Sequence, residues 1–208
     1  MTDAVSPVFK QIINPAHIEL ATTQVLKTWF PTYIREVEKQ LGLPVGVIKA
    51  PLNYTNRNSF DALPGELIPK CVVISPGLAE VPTMDGEGWY TADWQLGVGV
   101  ATAGPTEDNA VDHVKIYGSA ARVCVMQQLA ANVDFIGNVR WVGETYDDLP
   151  ITDQIQQYRA AQVFFVVSCD GVMNSRSGPD VPDHEPYEYG KVQHVITQVD
   201  LIKEDIDQ

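Results

Sequence analysis

The sequence predicts an α+β fold: a mainly antiparallel or mixed β-sheet with two principal helices packed on it. Three observations carry that expectation. Two long stretches, one opening near His17 and one near Thr106, repeat apolar residues every three or four positions. Trp89 to Thr102 alternates instead, and Ala160-Ala161-Gln162-Val163-Phe164-Phe165-Val166-Val167 is almost continuously apolar. The order of elements, helix, strand, strand, helix, strand, strand, strand, suits two helices laid on one sheet.

Residues 1–16 show no clear period and end in Asn14-Pro15, a turn or helix-start signal. The first helix follows from His17, with Ile18, Val25, Leu26, Trp29, Phe30, Tyr33, Ile34, Val37 and Leu41 on its apolar stripe. Arg35, Glu36, Glu38 and Lys39 lie mostly off that stripe. Pro31 removes a backbone donor in mid-pattern, so a kink or restart is expected there, with termination near Gly42 and Pro44. Residues 50–66, rich in Asn, Pro, Gly and Asp, read as a loop. Lys70 to Pro76 is a β-branched run bounded by prolines, the pattern of a buried strand. After a second loop over 76–88 comes the alternating strand, whose core face is Tyr90, Ala92, Trp94, Leu96, Val98 and Val100.

Thr106 caps the second helix, and Glu107 and Asp108 suit the positive end of its dipole. That helix runs to about Asn132, with Val111, Val114, Gly118, Ala121, Val125 and Leu129 on one stripe and Ile116, Ala120 and Val123 on another face. A helix apolar most of the way round is covered on two sides or lies at a subunit boundary. Arg140 to Thr145 and Tyr158 to Cys169 are the next strands, joined by an acidic connection around Asp147, Asp148 and Asp153. The apolar run in the second implies a central place in the sheet. Residues 170–190 read as a long irregular loop, and Val195, Thr197, Val199 and Leu201 share one side of a final strand. A mobile tail is expected over 203–208, and a single domain over 1–208, because no repeat, linker or low-complexity tract divides the chain.

The chain has 208 residues, 45% of them hydrophobic, enough for one well-filled core. It carries 27 acidic against 14 basic residues, a formal charge of −13. The imbalance is local: residues 1–60 sum to +2, 61–177 to −9 and 178–208 to −6. A protein that grips nucleic acid through phosphates needs basic patches, and no Lys/Arg cluster occurs. The asymmetry fits one face that repels anions and another that docks a partner, and equally fits acidic loops that maintain solubility. Cys71, Cys124 and Cys169 are odd in number and set in apolar runs, as expected of buried reduced thiols. Neither a basic-then-apolar leader nor an apolar stretch near the roughly 18 residues of a membrane span is present, so a soluble, cytoplasmically made protein with no membrane partner is expected.

The search for chemistry returns no catalytic residue, cofactor or metal site. The phosphate-binding glycine motifs are absent, and Gly97-Val98-Gly99 lies inside a strand, where it marks close approach or a bulge. His17, His113, His184 and His194 are scattered, without a helical His-Glu-x-x-His. Asp180, Asp183, His184, Glu185 and Glu188 could hold a cation, which gives a small metal-dependent hydrolase as the enzymatic alternative. Prolines crowd that loop and its spacing is irregular, so a solvated loop is the better reading. Ser75 precedes a proline, Ser119 is mid-helix and Cys124 falls on a core stripe, which disfavours each as a nucleophile. Trp89, Tyr90 and Trp94 cluster, and with Trp141 and Tyr146 they are candidate residues for a subunit or partner interface.

Five segments, the strand Ile68 to Pro76, the helix end Arg122-Val123-Cys124-Val125-Met126-Gln127-Gln128, the block Trp141 to Leu149, the strand Tyr158 to Ser168, and Ser177-Gly178-Pro179, carry a resemblance. Together they resemble the tail terminator proteins of long-tailed, non-contractile bacteriophages, especially those of actinobacteria, from residue 65 onward. The resemblance implies a protomer that forms a ring, hexameric in that family, on the completed tail tube, stops its polymerisation and presents a surface to the head. The implied partners are further copies of the chain, the major tail tube protein and a head-tail connector or stopper protein. The implied location is the tail or neck of the virion, after synthesis in a host cytoplasm. DNA would pass through the lumen, and a hexamer of −13 chains would carry on the order of −78, which keeps phosphates from sticking. Glu144, Asp147, Asp148 and Asp153 then become a candidate lumen or contact loop. The long loops at 50–66, 76–88 and 170–190 are expected to touch neighbouring subunits, tube or connector. A head-completion or neck connector protein shares the ring symmetry and size and is the nearest alternative. An acidic module that binds a basic host protein is permitted by the charge.

Overall fold

A computed structural model describes residues 12–56, 68–104, 106–149 and 157–174. Its elements are helix α1 (Pro15–Gln40), strands β1 (Asn53–Thr55), β2 (Lys70–Ile74), β3 (Thr83–Met84) and β4 (Trp89–Gly104), helix α2 (Glu107–Asn132), and strands β5 (Ile136–Asp148) and β6 (Gln157–Asn174). Two helices and a six-stranded mixed sheet make the α+β fold that the patterns predict. All of these elements lie in one compact unit, Met1–Arg176. The expected final strand, the acidic loop at 180–188 and the tail at 203–208 lie outside the described residues, as does part of the expected single domain.

Helix α1 begins where Asn14 caps it. The Asn14 side chain accepts from the amides of Ala16 and His17, while His17 Nδ1 accepts from the Asn14 amide at 3.2 Å. The helix continues through Pro31 without a restart, with Phe30 and Ile34 on either side buried and tying both halves to the core. It ends at the expected place. Gly42 takes φ of +69°, and the amide of Leu43 reaches back to the Glu38 carbonyl at 2.9 Å. Two members of the expected stripe are not core: Trp29 is 37% exposed and Leu41 60% exposed. The buried face instead includes Glu38, whose carboxylate accepts from the amides of Gly46 at 2.7 Å and Ile48 at 2.6 Å. A buried carboxylate thus fixes the chain after the helix.

The sheet order is β1-β2-β4-β6-β5, with β3 paired to the start of β4. Strands β1 and β2 are parallel, and every other pairing is antiparallel. The short β1 and β3 fall inside stretches expected to be loops, since their three and two residues leave no readable period. Strand β6 is interior, as its apolar run implies, and it pairs with β4 from Trp89↔Asn174 to Gly104↔Gln157. The expected core face of β4 is correct over Ala92, Leu96, Val98 and Val100, all buried. At the end of β4 the chain turns directly into α2. A Cβ on Gly104 would lie 2.6 Å from the Ala110 amide nitrogen, so only glycine fits the turn.

Thr106 caps α2 by accepting from the Asn109 amide, as expected. The helix is covered on two sides within the chain, by α1 above and by β4, β5 and β6 below. Much of its broad apolar surface is thus buried within the chain, although Val111 and Val123 remain half-buried. Both helices lie on the same sheet face, joined in one core with Cys71, Val73, Val98, Val163, Phe165 and Val167. Among the described residues no helix is long and apolar enough to cross a membrane.

Glu38→Ala would leave the buried Ile48 amide without its acceptor, at a cost of about 1–3 kcal/mol, while the exposed Gly46 amide can turn to water. We expect a lower urea midpoint for Glu38→Ala and a smaller loss for Glu38→Gln, which keeps one acceptor. An unchanged midpoint for both would refute this role.

A candidate assembly surface

Register divides every inner strand into a helix side and a helix-free side. Val98 sits opposite Val163 and Leu96 opposite Phe165, and these face the helices. Gly97 sits opposite Phe164 and Gln95 opposite Val166, and these face away. Val72 and Ile74 of β2 and Val142 of β5 belong to the same helix-free side. The glycines of β4 leave it without side-chain bulk, so a hollow of about 570 Å³ opens there, lined mainly by Val72, Ile74, Val142, Phe164 and Val166. A Cβ on Gly97 would reach the Phe164 ring at 3.9 Å, which is ordinary contact, so this glycine shapes the hollow without being required by strain. Phe164 is 38% exposed and Val142 61% exposed. Arg140 and Glu80, 3.7 Å apart, form a solvent-exposed pair at the rim.

The expected acidic connection has a different structure from the one its composition predicts. Asp147 and Asp148 belong to β5, paired with Ala160 and Arg159, so the strand extends further than its apolar pattern. Asp148 meets Arg159 at 2.8 Å, and the same guanidinium reaches Glu107 at the start of α2 at 3.5 Å. Glu144 is not a free acid either. Both of its oxygens lie 3.0 Å from Arg122 Nη1, and Tyr146 donates its hydroxyl to Oε1 at 3.0 Å. Arg122 also stacks over the Trp141 ring, 4.8 Å from its centroid. Four residues from α2 and β5 thus form one polar cluster on the helix side. Asp153 lies outside the described residues.

The five aromatic candidates do not form one patch. Trp141 and Tyr146 belong to the cluster just described, and Tyr146 lies so close over Gly118 that a Cβ there would meet its hydroxyl at 2.8 Å. Trp94 packs partly buried against the core, and its Nε1 has no partner. Trp89 and Tyr90 stand at the other end of the sheet: Tyr90 is opposite Met173, while Tyr146 is opposite Ala161. That separation along β6 is about 40 Å at the usual strand rise.

Among the described residues no group of His, Cys, Asp and Glu could hold a metal ion. The proposed acidic cation loop is not among them. The three cysteines are free and buried. Burial pushes the Cys124 and Cys169 thiols up to about 12, the latter helped by Asp170 and Asp93, and pushes Cys71 higher still, helped by Cys124. Tyr146 is likewise pushed up to about 12, first by burial and then by its bond to Glu144. Reasoning from sequence missed Arg122 as the centre of the cluster and Phe164 with Val142 as the apolar floor. A signal for the second existed, since consecutive apolar residues 163–167 must present an apolar surface on both sheet faces.

Gly118→Ala should displace Tyr146 and lower stability by about 1–3 kcal/mol. In a Tyr146→Ala background the same change should instead stabilise by about 1 kcal/mol through helix propensity. A thermal-unfolding cycle without that sign reversal would contradict the contact. The thiols give a second test: because folding raises them above the ordinary 9.0, stability is full below pH 9 and falls as pH rises toward about 12. At neutral pH the native chain should resist thiol alkylation until unfolded, and rapid labelling of any cysteine would overturn the assignment.

No protein-family profile matches the chain, and no curated protein sequence matches it significantly. Solved structures similar to it include a chain from the virion of a native gene transfer agent particle, at 14% identity over 64% of this chain and 91% of that one. The TM-score is 0.38, a likeness that carries no argument about role.

Proposed function

We propose that this chain is a structural virion protein, a tail terminator whose copies close into a ring, hexameric by the resemblance, on the end of the tail tube. In that role it stops tube growth, offers its upper surface to the head connector, and lets DNA through its lumen. The observation that supports this most is the helix-free sheet face. A protomer that leaves an apolar hollow of about 570 Å³ facing water, with Phe164 and Val142 exposed on it, has built a surface for another protein. The charge of −13 supports it from another side, since a channel for DNA must not bind phosphate. The helices pack on one another and on the sheet, so the case for assembly is made here from the sheet.

The acids fit this reading in two classes. Asp147 is exposed and accepts from the Thr145 hydroxyl within its own strand, so it is available to a lumen or contact surface. Glu144 is held by Arg122 and serves the protomer. A neck connector would use the same kinds of surface, and the two are separated by what the protein binds, tail tube or portal side.

Electron microscopy of the protein mixed with tail tubes should show a closed cap at one tube end and arrested tube growth. Val142→Asp should abolish capping while shifting the unfolding midpoint by less than about 1 kcal/mol, because the site is on the surface. Reversing both Asp147 and Asp148 to Lys should leave the fold intact, since the exposed Asp148 pair contributes at most about 1 kcal/mol, and should impair capping or infectivity. Binding to portal or adaptor protein with no binding to tubes would replace this reading by the neck connector. Full capping by all these variants would refute the placement.

A further inference from the structure

Strand β5 is the long edge of the sheet. It runs for 13 residues, and its only strand partner among the described residues is β6. An exposed edge of that length presents a row of unpaired amides and carbonyls, a template that monomeric proteins shorten, cover or block. Here the blocking is partial. Charges stand at Arg140, Asp147 and Asp148, and a bulge lies between Trp141 and Gly143, but the middle of the edge carries Trp141 at 44% and Val142 at 61% exposure. The opposite edge, β1, has three residues and so cannot match it in a sheet continued from copy to copy.

One segment of this chain has the complementary pattern. From His194 to Leu201 the sequence alternates, with Val195, Thr197, Val199 and Leu201 on one side and His194, Ile196, Gln198 and Asp200 on the other. We infer that in the assembly the 191–201 segment of one copy adds as a strand to the free edge of β5 in the next. The rule of alternation then fits the two faces of that edge. The apolar set continues the helix-free face beside Val142 and Phe164, while the more polar set meets the side where Arg122, Glu144 and Trp141 lie. Residues 175–190, between the end of β6 and this segment, span up to about 55 Å when extended, which reaches a neighbouring protomer. Donation from each copy to the next is a head-to-tail contact, the kind a ring requires.

The inference rests on the self-assembly part of the proposed function, and its test separates the two. The full chain is prepared as edge variants, Val142→Cys or Thr145→Cys, and as arm variants, Val195→Cys, Thr197→Cys or Val199→Cys, so that no single register is assumed. Edge and arm variants are mixed pairwise with tail tubes under mild oxidation and compared with the native chain, whose cysteines are buried. At least one pair should give an edge-to-arm disulfide between chains, and chains carrying both cysteines should give ladders of covalent oligomers. A chain ending at residue 189 should keep its native far-UV spectrum and lose ring formation at least tenfold. Rings that form normally from the truncated chain, with no disulfide between chains, would overturn the inference and leave the terminator reading standing. A disulfide closed within one chain would overturn it in favour of the chain's own arm. An edge-to-arm disulfide between copies without any capping of tubes would support the inference and remove the terminator.

Discussion

The register between β4 and β6 is the constraint on which the rest depends. It sets Val98 against Val163 and Leu96 against Phe165 on the helix side, and Gly97 against Phe164 on the other. Side chains alternate with a period of two, so a slip of one residue would turn Phe165 to water and Phe164 into the helices. Helix α2 then packs across β4, β6 and β5, and α1 packs across α2. That order uses one face of the sheet and leaves the other free of helices. The apolar run on β6 is buried under the helices on one face, while on the other Val166 is buried and Phe164 is 38% exposed.

Two acids that the protomer retains on its covered side are paired. Glu38 is fully buried and has two backbone amides for its charge, and Glu144 has Arg122 and Tyr146. Such pairing makes the interior a fixed scaffold. The surfaces left unsatisfied are those of β5 and the helix-free face, and they adjoin one another through Val142. The thiols are protonated and buried, and the carboxylates near α2 are engaged.

Much of this was legible in the sequence. Asn14-Pro15 and Thr106 open the helices, Gly42 closes the first, and the alternation in β4 names its core face correctly over Ala92 to Val100. The misses share one cause. Propensity and period are local, whereas the helix continues past Pro31 without a restart because Phe30 and Ile34 are buried, and Trp29 and Leu41 point outward because α1 needs to cover only the part of its stripe that meets the sheet and α2. Asp147 and Asp148 read as a turn by composition, yet they remain in β5 because the partner strand continues opposite them. The site was less legible still. Arg122 and Glu144 are 22 residues apart, and nothing in either segment alone announces their contact. The apolar floor was visible as a run, but its meaning depends on knowing which face the helices leave bare.

The central claim is that the helix-free face and the β5 edge are free in the protomer and covered in the assembly. Hydroxyl-radical footprinting of the chain alone and of the chain mounted on tail tubes reads this directly at Phe164, Trp141 and Met126, all exposed in the protomer. The account predicts strong labelling of all three in the free chain and protection of Phe164 and Trp141 on the tubes, with Met126 on α2 serving as a reporter of the helix side. Equal labelling of Phe164 and Trp141 in both states, while the protein is bound, would contradict it.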